Sequence, residues 1–163
     1  MDGDRLLGIY LNDHLAGASA VRHRCRSARD ANRGTELGLF LDELLGELTD
    51  DRGVLLEVMA AVGIARSHLK TTFVRIAERL GRLKLNGQLT GYSPLSRFEE
   101  LELLSVGVEG KRLLWIVLGE LGDSRLARFD FGTLTERAER QREGIERHRR
   151  AAAGTAFGGC ARG

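Results

Sequence analysis

Two carboxylates lie one heptad apart in the most apolar stretch of the sequence, SPLSRFEELELLSVGVEGKRLLWIVLGEL, which covers residues 93–121. Ser93 followed by Pro94 is typical of an N-cap and a first helical position, so a helix is predicted to begin here. Apolar residues follow on almost every side of this helix, which indicates that it is buried. Glu102 and Glu109 share one of its faces, and a carboxylate inside a core needs a partner or a chemical purpose. The two glutamates are therefore candidates for a catalytic or metal-binding pair.

Three other predicted helices carry polar side chains on an otherwise apolar seam. In each of them apolar residues recur at heptad-like spacing, which predicts one buried face. The polar seam residues, in chain order, are His14 in helix 5–30, Asp51 in helix 35–62, and Gln141 and His148 in helix 131–153. Side chains of this kind on a buried seam could bind a metal ion or form a structural network.

The composition predicts an all-α protein. There is one proline, only 6% of the residues are aromatic, and Leu, Ala, Arg and Glu are abundant, as is typical of helical domains. A fifth, shorter helix is predicted at 67–82, with an apolar face and a basic face. Residues 1–153 are expected to form a single bundle domain, and residues 154–163 a flexible Gly/Ala tail.

The connections predict the order of the helices. Gly34 permits only a tight turn, so the first two helices should be antiparallel neighbours. Residues 67–82 and the loop after them can carry the chain about 25 Å back along the bundle, at roughly 1.5 Å of rise per residue. The fold class expected is therefore an up-down-down-up four-helix bundle with an extra short crossover helix.

In that order the polar seam residues fall into layers. Counted from one end of the bundle, four of them lie within about 5 Å of rise: His14, Asp51, Glu109 and Gln141. Glu102 and His148 lie a heptad further along and are expected to face each other. Glu109 is thus separated from Glu102 and placed in the layer with four polar members.

The topology and the placement of this layer resemble the ferritin-like superfamily over residues 5–153. Di-iron members of that superfamily use a Glu from each of two helices and a Glu-x-x-His motif from each of the other two. No Glu-x-x-His occurs in this sequence, and Glu109 alone matches the pattern by residue type. The resemblance implies a metal-binding protein or metal-dependent oxidoreductase. A metal site built from His14, Asp51 and Glu109 would suit iron, manganese or zinc, and the further candidate ligands are Glu102 and His148.

The sequence favours a structural interpretation of the same layer. His14 beside Asp51, and Glu109 beside Arg112 or Lys111, would form a satisfied buried network that fixes the helix register. No Ser-His-Asp arrangement, phosphate-binding loop or dinucleotide fingerprint is found. The expected function is therefore a non-catalytic interaction or helper module, with the metal-dependent activity as the alternative.

Charge and cysteine content narrow the expected partners and compartment. Lys and Arg total 25 and Asp and Glu total 23, a net charge of +2, so there is no bulk imbalance that favours nucleic acid or a membrane surface. The longest apolar run, 113–118, is too short to span a bilayer. The two cysteines lie far apart, which favours a reduced cytoplasmic setting with Cys25 packed as a small hydrophobic residue. An exposed helix face could support a homodimer.

Overall fold

The computed structural model describes residues 3–66 and 92–158. These residues form four α-helices and one 3₁₀ turn, with no strand among them. The elements are α1 (Gly3–Ala31), α2 (Glu36–Ala61), α3 (Pro94–Glu120), the 3₁₀ turn Ser124–Leu126, and α4 (Phe131–Phe157). Within these ranges no helix combines the length and apolar character that crossing a membrane requires. The expectation of an all-α protein with four long helices is confirmed.

Side-chain caps set the starts of three helices. The Thr35 hydroxyl accepts a hydrogen bond from the Gly38 amide, the Ser93 hydroxyl from the Ser96 amide, and the Asp130 carboxylate from the Thr133 amide. These bonds satisfy amides that have no partner within the helix. The cap predicted at Ser93 is therefore confirmed, and Thr35 and Asp130 act in the same way on the other two helices.

Glycines explain where α1 and α2 end. Gly34 and Gly63 have φ values of 78° and 73°, in the left-handed region that favours glycine, and they lie in the turns that follow α1 and α2. The last helix continues to Phe157, four residues beyond the predicted end, and the Phe157 ring packs against Phe98 of α3 with 5.2 Å between the ring centroids. Residues 154–157 are thus helical, and residues 159–163 lie outside the described ranges. The predicted crossover helix at 67–82 also lies outside them.

The core consists of two hydrophobic clusters, one toward each end of the bundle. One cluster combines the first half of α1 and the start of α4 with the second halves of α2 and α3. It includes Leu11, Leu15, Leu55, Met59, Leu114, Trp115, Phe131 and Leu134. The other cluster joins the opposite halves and includes Cys25, Ala28, Leu41, Leu44, Leu101, Leu104, Ala138 and Ile145. The junction between the clusters lies near the middle of α1, α2 and α3 and within the first two turns of α4.

The helices pack as a square when viewed along the bundle. α1 lies beside α2 and α3, while α4 lies closely against α3 and more loosely against α2. The pair α2 and α3 is therefore a diagonal of the square, and side chains from these two helices meet only across the interior. This arrangement decides which polar residues can bond to each other.

Two glycines allow neighbouring helices to approach closely. A Cβ atom added to Gly107 of α3 would lie 2.3 Å from Cγ2 of Val21 in α1. A Cβ atom added to Gly144 of α4 would lie 2.5 Å from Cε2 of Phe40 in α2. Both distances are far below van der Waals contact, so these positions fit only a residue without a side chain in the observed packing.

Candidate functional site

Asp51 is the buried carboxylate of the bundle interior. It lies on α2 at the junction of the two clusters, and only 2% of its surface is exposed. Lys111 of α3 donates a hydrogen bond to its Oδ2 atom, and Arg137 of α4 donates one to its Oδ1 atom. Both carboxylate oxygens therefore have a cationic partner, which is what a buried charge requires.

Gln141 extends this arrangement into a network between three helices. Its Oε1 atom accepts a hydrogen bond from Lys111. Its Nε2 atom donates to Glu47 Oε2 at 2.8 Å and lies 3.3 Å from Asp51 Oδ2. Since Gln141 is 4% exposed, these bonds satisfy an amide that has little access to water. We call Glu47, Asp51, Lys111, Arg137 and Gln141 the polar cluster.

The charges of the polar cluster balance formally, with two cations and two carboxylates. Burial is the main cause that lowers the pKa of Lys111, and the neighbouring Asp51 carboxylate acts in the opposite direction. The ammonium group is thus held in the interior by its ion pair and not by solvent. Such a cluster can fix the relative positions of α2, α3 and α4.

A cavity of about 410 Å³ lies between α1, α2 and α3, next to the polar cluster. Asp51 and Lys111 contribute to its wall, together with His14 from α1. Apolar side chains form much of the remaining wall: Val21, Leu48, Leu55, Leu114 and Trp115. The cavity therefore combines a largely apolar surface with a few polar groups, as small-molecule sites do.

Glycines on two facing helices create much of this space. Gly17 of α1 and Gly110 of α3 both line the cavity. A Cβ atom added to either would meet no heavy atom within 4 Å. Larger residues at these two positions would fill the interior, so the cavity exists because both helices lack a side chain there.

Trp115 supplies an unsatisfied donor in the cavity wall. Its side chain is 1% exposed, and its indole N–H has no acceptor among the described residues. A buried donor without a partner costs free energy, roughly 1–3 kcal/mol.

His14 occupies the cavity wall in the manner of a packed aromatic residue. Its ring lies edge-on to the Tyr10 ring, with 4.5 Å between the ring centroids. Burial lowers its pKa, and the nearby Asp13 carboxylate opposes that shift. His14 and Asp51, which were predicted to lie close together, therefore line the same cavity. Burial favours the neutral imidazole of His14.

Glu109 lies away from the polar cluster. Its carboxylate accepts hydrogen bonds from Arg112 at 2.8 and 2.9 Å and pairs with Arg142 of α4 at 2.9 Å. The hydrogen bond from Arg112 is the main cause that lowers its pKa. Lys111, two residues further along α3, is the residue that contributes to the interior layer instead. The predicted pair of Glu109 with Arg112 is present, but it lies at a partly exposed position.

Glu102 and His148 are not brought together either. The Glu102 carboxylate is exposed and accepts a hydrogen bond from Arg149 at 3.2 Å. The His148 ring packs against Phe40, with 4.7 Å between the ring centroids. Burial lowers the pKa of His148, as it does for His14. Glu102 of α3 therefore pairs with Arg149 of α4, whereas His148 of α4 packs against Phe40 of α2.

The five predicted metal ligands are therefore not brought together at one site. His14 and Asp51 share the cavity wall, whereas Glu109 and Glu102 bind arginines and His148 contacts a phenylalanine. Over residues 3–66 and 92–158, no three His, Cys, Asp or Glu side chains are grouped so that they could hold a metal ion. The donor set that the resemblance implied is not assembled by this packing.

Cys25 is a core residue. It is fully buried, and its Sγ atom lies 3.5 Å from the Leu41 carbonyl oxygen, to which it donates. Burial raises the pKa of the thiol to about 12, which disfavours the reactive thiolate. The interpretation of Cys25 as a packed small residue is confirmed, whereas the cytoplasmic setting stays a prediction.

An apolar stripe is exposed along α3. It consists of Val106, Leu113, Val117 and Leu121. These residues follow one another at intervals of seven and four, which places them on one side of the helix. A homodimer would need a face of this kind, and the homodimer also stays a prediction.

Glu47 and Arg137 were not among the residues predicted from the sequence, and Lys111 was predicted only as a partner of Glu109. A signal for the first two exists, because Glu47 precedes Asp51 by four residues and Arg137 precedes Gln141 by four. Residues at this spacing are neighbours on a helix surface. A search for polar i,i+4 pairs on the apolar seams would therefore have found Glu47 and Arg137.

Comparisons with known proteins do not add a relative to this description. No family model matches the sequence, and neither a curated protein nor a solved structure matches it significantly. The functional argument therefore depends on the residues and on the geometry that they adopt.

Proposed function

We propose that this protein is a non-catalytic binding module whose cavity between α1, α2 and α3 receives a small organic ligand. The observation that carries the proposal is the cavity itself, about 410 Å³ in volume. Sites for small molecules have volumes of roughly 300–1,000 Å³, and they are mostly apolar with a few convergent polar groups. Here the polar groups of the wall include His14 of α1 and Lys111 of α3.

A binding role is better supported than catalysis by the state of the cavity's charged groups. A general base must be able to accept a proton from its substrate. The Asp51 carboxylate is held by Lys111 and Arg137, so it acts as an anchor for two cations. The metal-dependent alternative has less support, because Glu109 is paired with Arg112 and Arg142 instead of facing Asp51.

We also propose the up-down-down-up order of ferritin-like bundles for the four helices. The membership of the two core clusters supports it, since the first half of α1 and the start of α4 pack with the second halves of α2 and α3. The position of the residues after α2 is consistent with this order. Asn12 near the start of α1 donates to the Ala65 carbonyl, while Tyr92 before α3 contacts Asn32 at the end of α1.

A neutral fluorescent probe tests the binding proposal. N-phenyl-1-naphthylamine is apolar and emits strongly when it leaves water, and Trp115, the single tryptophan of the chain, can transfer energy to it. We expect saturable binding of one probe molecule with quenching of the Trp115 emission. Gly17→Leu and Gly110→Leu should each abolish it, because both side chains would enter the cavity.

Gly46→Leu is the matched control. Gly46 is also helical and has open space at its Cβ position, but it is exposed on α2 and does not line the cavity. This variant should bind the probe as the wild-type protein does. Helical circular dichroism must be retained in all three variants. Absence of saturable binding to the wild type, or binding that persists in both cavity variants, would show that the cavity is not a ligand site.

A further inference from the structure

The cavity wall carries two carboxylates, Asp13 and Asp51, and two cations, Arg52 and Lys111, but Arg52 is not part of an ion pair with either carboxylate. Arg52 of α2 lines the cavity and is half-buried. Its Nε atom donates to the Ser19 hydroxyl at 3.3 Å. None of the ion pairs of the described residues includes Arg52, so this cation has a neutral partner only.

The surroundings of Arg52 are themselves positive. Arg22 and Arg66 act on it electrostatically, and together with burial they disfavour its charged form. Arg22 likewise donates to a neutral group, the Thr49 hydroxyl, at 3.1 Å. Arg22 and Arg66 therefore add positive charge to the surroundings of the Arg52 guanidinium. An arginine in this state gains from an anion, because its planar donors match a carboxylate.

The two acidic residues of the wall do not offset this charge. Asp51 is already neutralised by Lys111 and Arg137. Asp13 is exposed on α1, where its charge is screened by water. A negatively charged group of a ligand would therefore be stabilised at the part of the wall around Arg52.

We infer that the ligand of the cavity is a small carboxylic acid with an apolar body. Its carboxylate pairs with Arg52, and its apolar body lies against Leu55, Leu114 and Trp115. This inference rests on the proposed binding function and adds the chemical class of the ligand. A volume of about 410 Å³ admits an aliphatic or aromatic acid of moderate size.

Three ligands with one tail and different head groups test the inference. Octanoate, octan-1-ol and octylammonium are titrated against the protein filled with N-phenyl-1-naphthylamine, and displacement is followed through probe and Trp115 fluorescence. Octanoate should displace the probe at a concentration about tenfold lower than octan-1-ol, because a charge-assisted bond adds to the same apolar contact. Octylammonium should be the weakest of the three, since its charge has the sign of Arg52.

The variant Arg52→Met tests whether Arg52 causes the preference for octanoate. It should reduce the affinity for octanoate to that for octan-1-ol, and it should leave octan-1-ol and the neutral probe unaffected. The unchanged probe binding shows that the variant is folded. Arg26→Met, at an exposed position of α1 that does not line the cavity, is the matched control and should retain the preference for octanoate.

The outcomes separate this inference from the proposed function. If the neutral probe does not bind, the cavity is not a ligand site and both proposals fail. If the probe binds but octanoate has no advantage over octan-1-ol, the binding function stands and the assignment of an acid is overturned. An equal loss for all three ligands in Arg52→Met would also overturn it, because the role of Arg52 would then be structural.

Discussion

Lys111 of α3 donates a hydrogen bond to Asp51 of α2 across the interior of the bundle, although α2 and α3 are diagonal and do not pack side by side. The long aliphatic stem of the lysine spans this distance, and its ammonium group also reaches Gln141 of α4. One side chain thereby joins three helices at a single level. The position of α3 relative to α2 and α4 is therefore specified by charge as well as by packing.

The first prediction concerns the strength of this link. Asp51→Asn should lower the free energy of unfolding by about 3–5 kcal/mol, because it leaves Lys111 and Arg137 in the interior without their anion. Asp50→Asn, an exposed carboxamide substitution next to it in α2, is the control and should change little. Urea unfolding followed by circular dichroism measures both.

Glu109→Gln belongs to the same experiment, because the sequence placed Glu109 and Asp51 in one layer. The structure leaves about a third of the Glu109 side chain exposed, with Arg112 and Arg142 as partners. Partly exposed pairs of this kind contribute roughly 0–1 kcal/mol. Equal losses for Asp51→Asn and Glu109→Gln would contradict the observed difference in their burial.

The sequence predicted the position of the polar layer along the bundle axis better than it predicted which helix faces contribute to that layer. Asp51 and Gln141 were expected at one level, and they are bonded to each other. Glu109 was expected beside them, but Lys111 takes that place. The reason is that α3 is apolar on almost every side, so hydrophobic periodicity does not determine which of its faces points inward. A lysine is also the residue type least expected in a core.

The cavity could not be predicted from the sequence for a different reason. It depends on Gly17 and Gly110 lining one space from two helices that are far apart in the chain. A glycine within a helical segment indicates only local weakness or close packing. Gly107, three residues before Gly110, has the opposite role and lies against Val21. Which of these roles a glycine has depends on how α1 and α3 are placed relative to each other. A local sequence pattern carries no information about that placement.

The second prediction tests the close approach at Gly107. Gly107→Ala should destabilise the protein by about 1–3 kcal/mol, because the added methyl group overlaps the stiff side chain of Val21. Alanine would otherwise favour the helix by up to about 1 kcal/mol. Thermal or urea unfolding of Gly107→Ala therefore shows whether the overlap with Val21 or the higher helix propensity of alanine has the larger effect on stability.

A double variant separates overlap from a general loss of packing. Val21→Ala alone should cost stability, since Val21 packs against the core cluster of that end. Combined with Gly107→Ala it should restore room for the new methyl group, so the double variant should be more stable than the sum of the two single effects. Simple additivity of the two losses would show that α1 and α3 do not touch at this level.

The third prediction is a pH dependence that originates at His14. Its pKa is lowered in the folded protein by burial, so the unfolded chain binds a proton more readily than the folded chain does. The stability that depends on neutral His14 is therefore present above the ordinary pKa of 6.5 and is lost as the pH falls through the lowered value. Asp51 and Lys111 share the cavity with His14, where Lys111 donates a hydrogen bond to Asp51.

Urea midpoints at pH 7 and at pH 5 measure this effect. His14→Leu should reduce the loss of stability between the two pH values, because the titrating group is gone. His148 contributes with the same sign, since its pKa is also lowered by burial, so part of the loss should persist. His23→Leu, at an exposed position of the same helix, should leave the loss as it is in the wild type. A loss of stability in His14→Leu equal to that of the wild type would contradict the assignment of this pH dependence to His14.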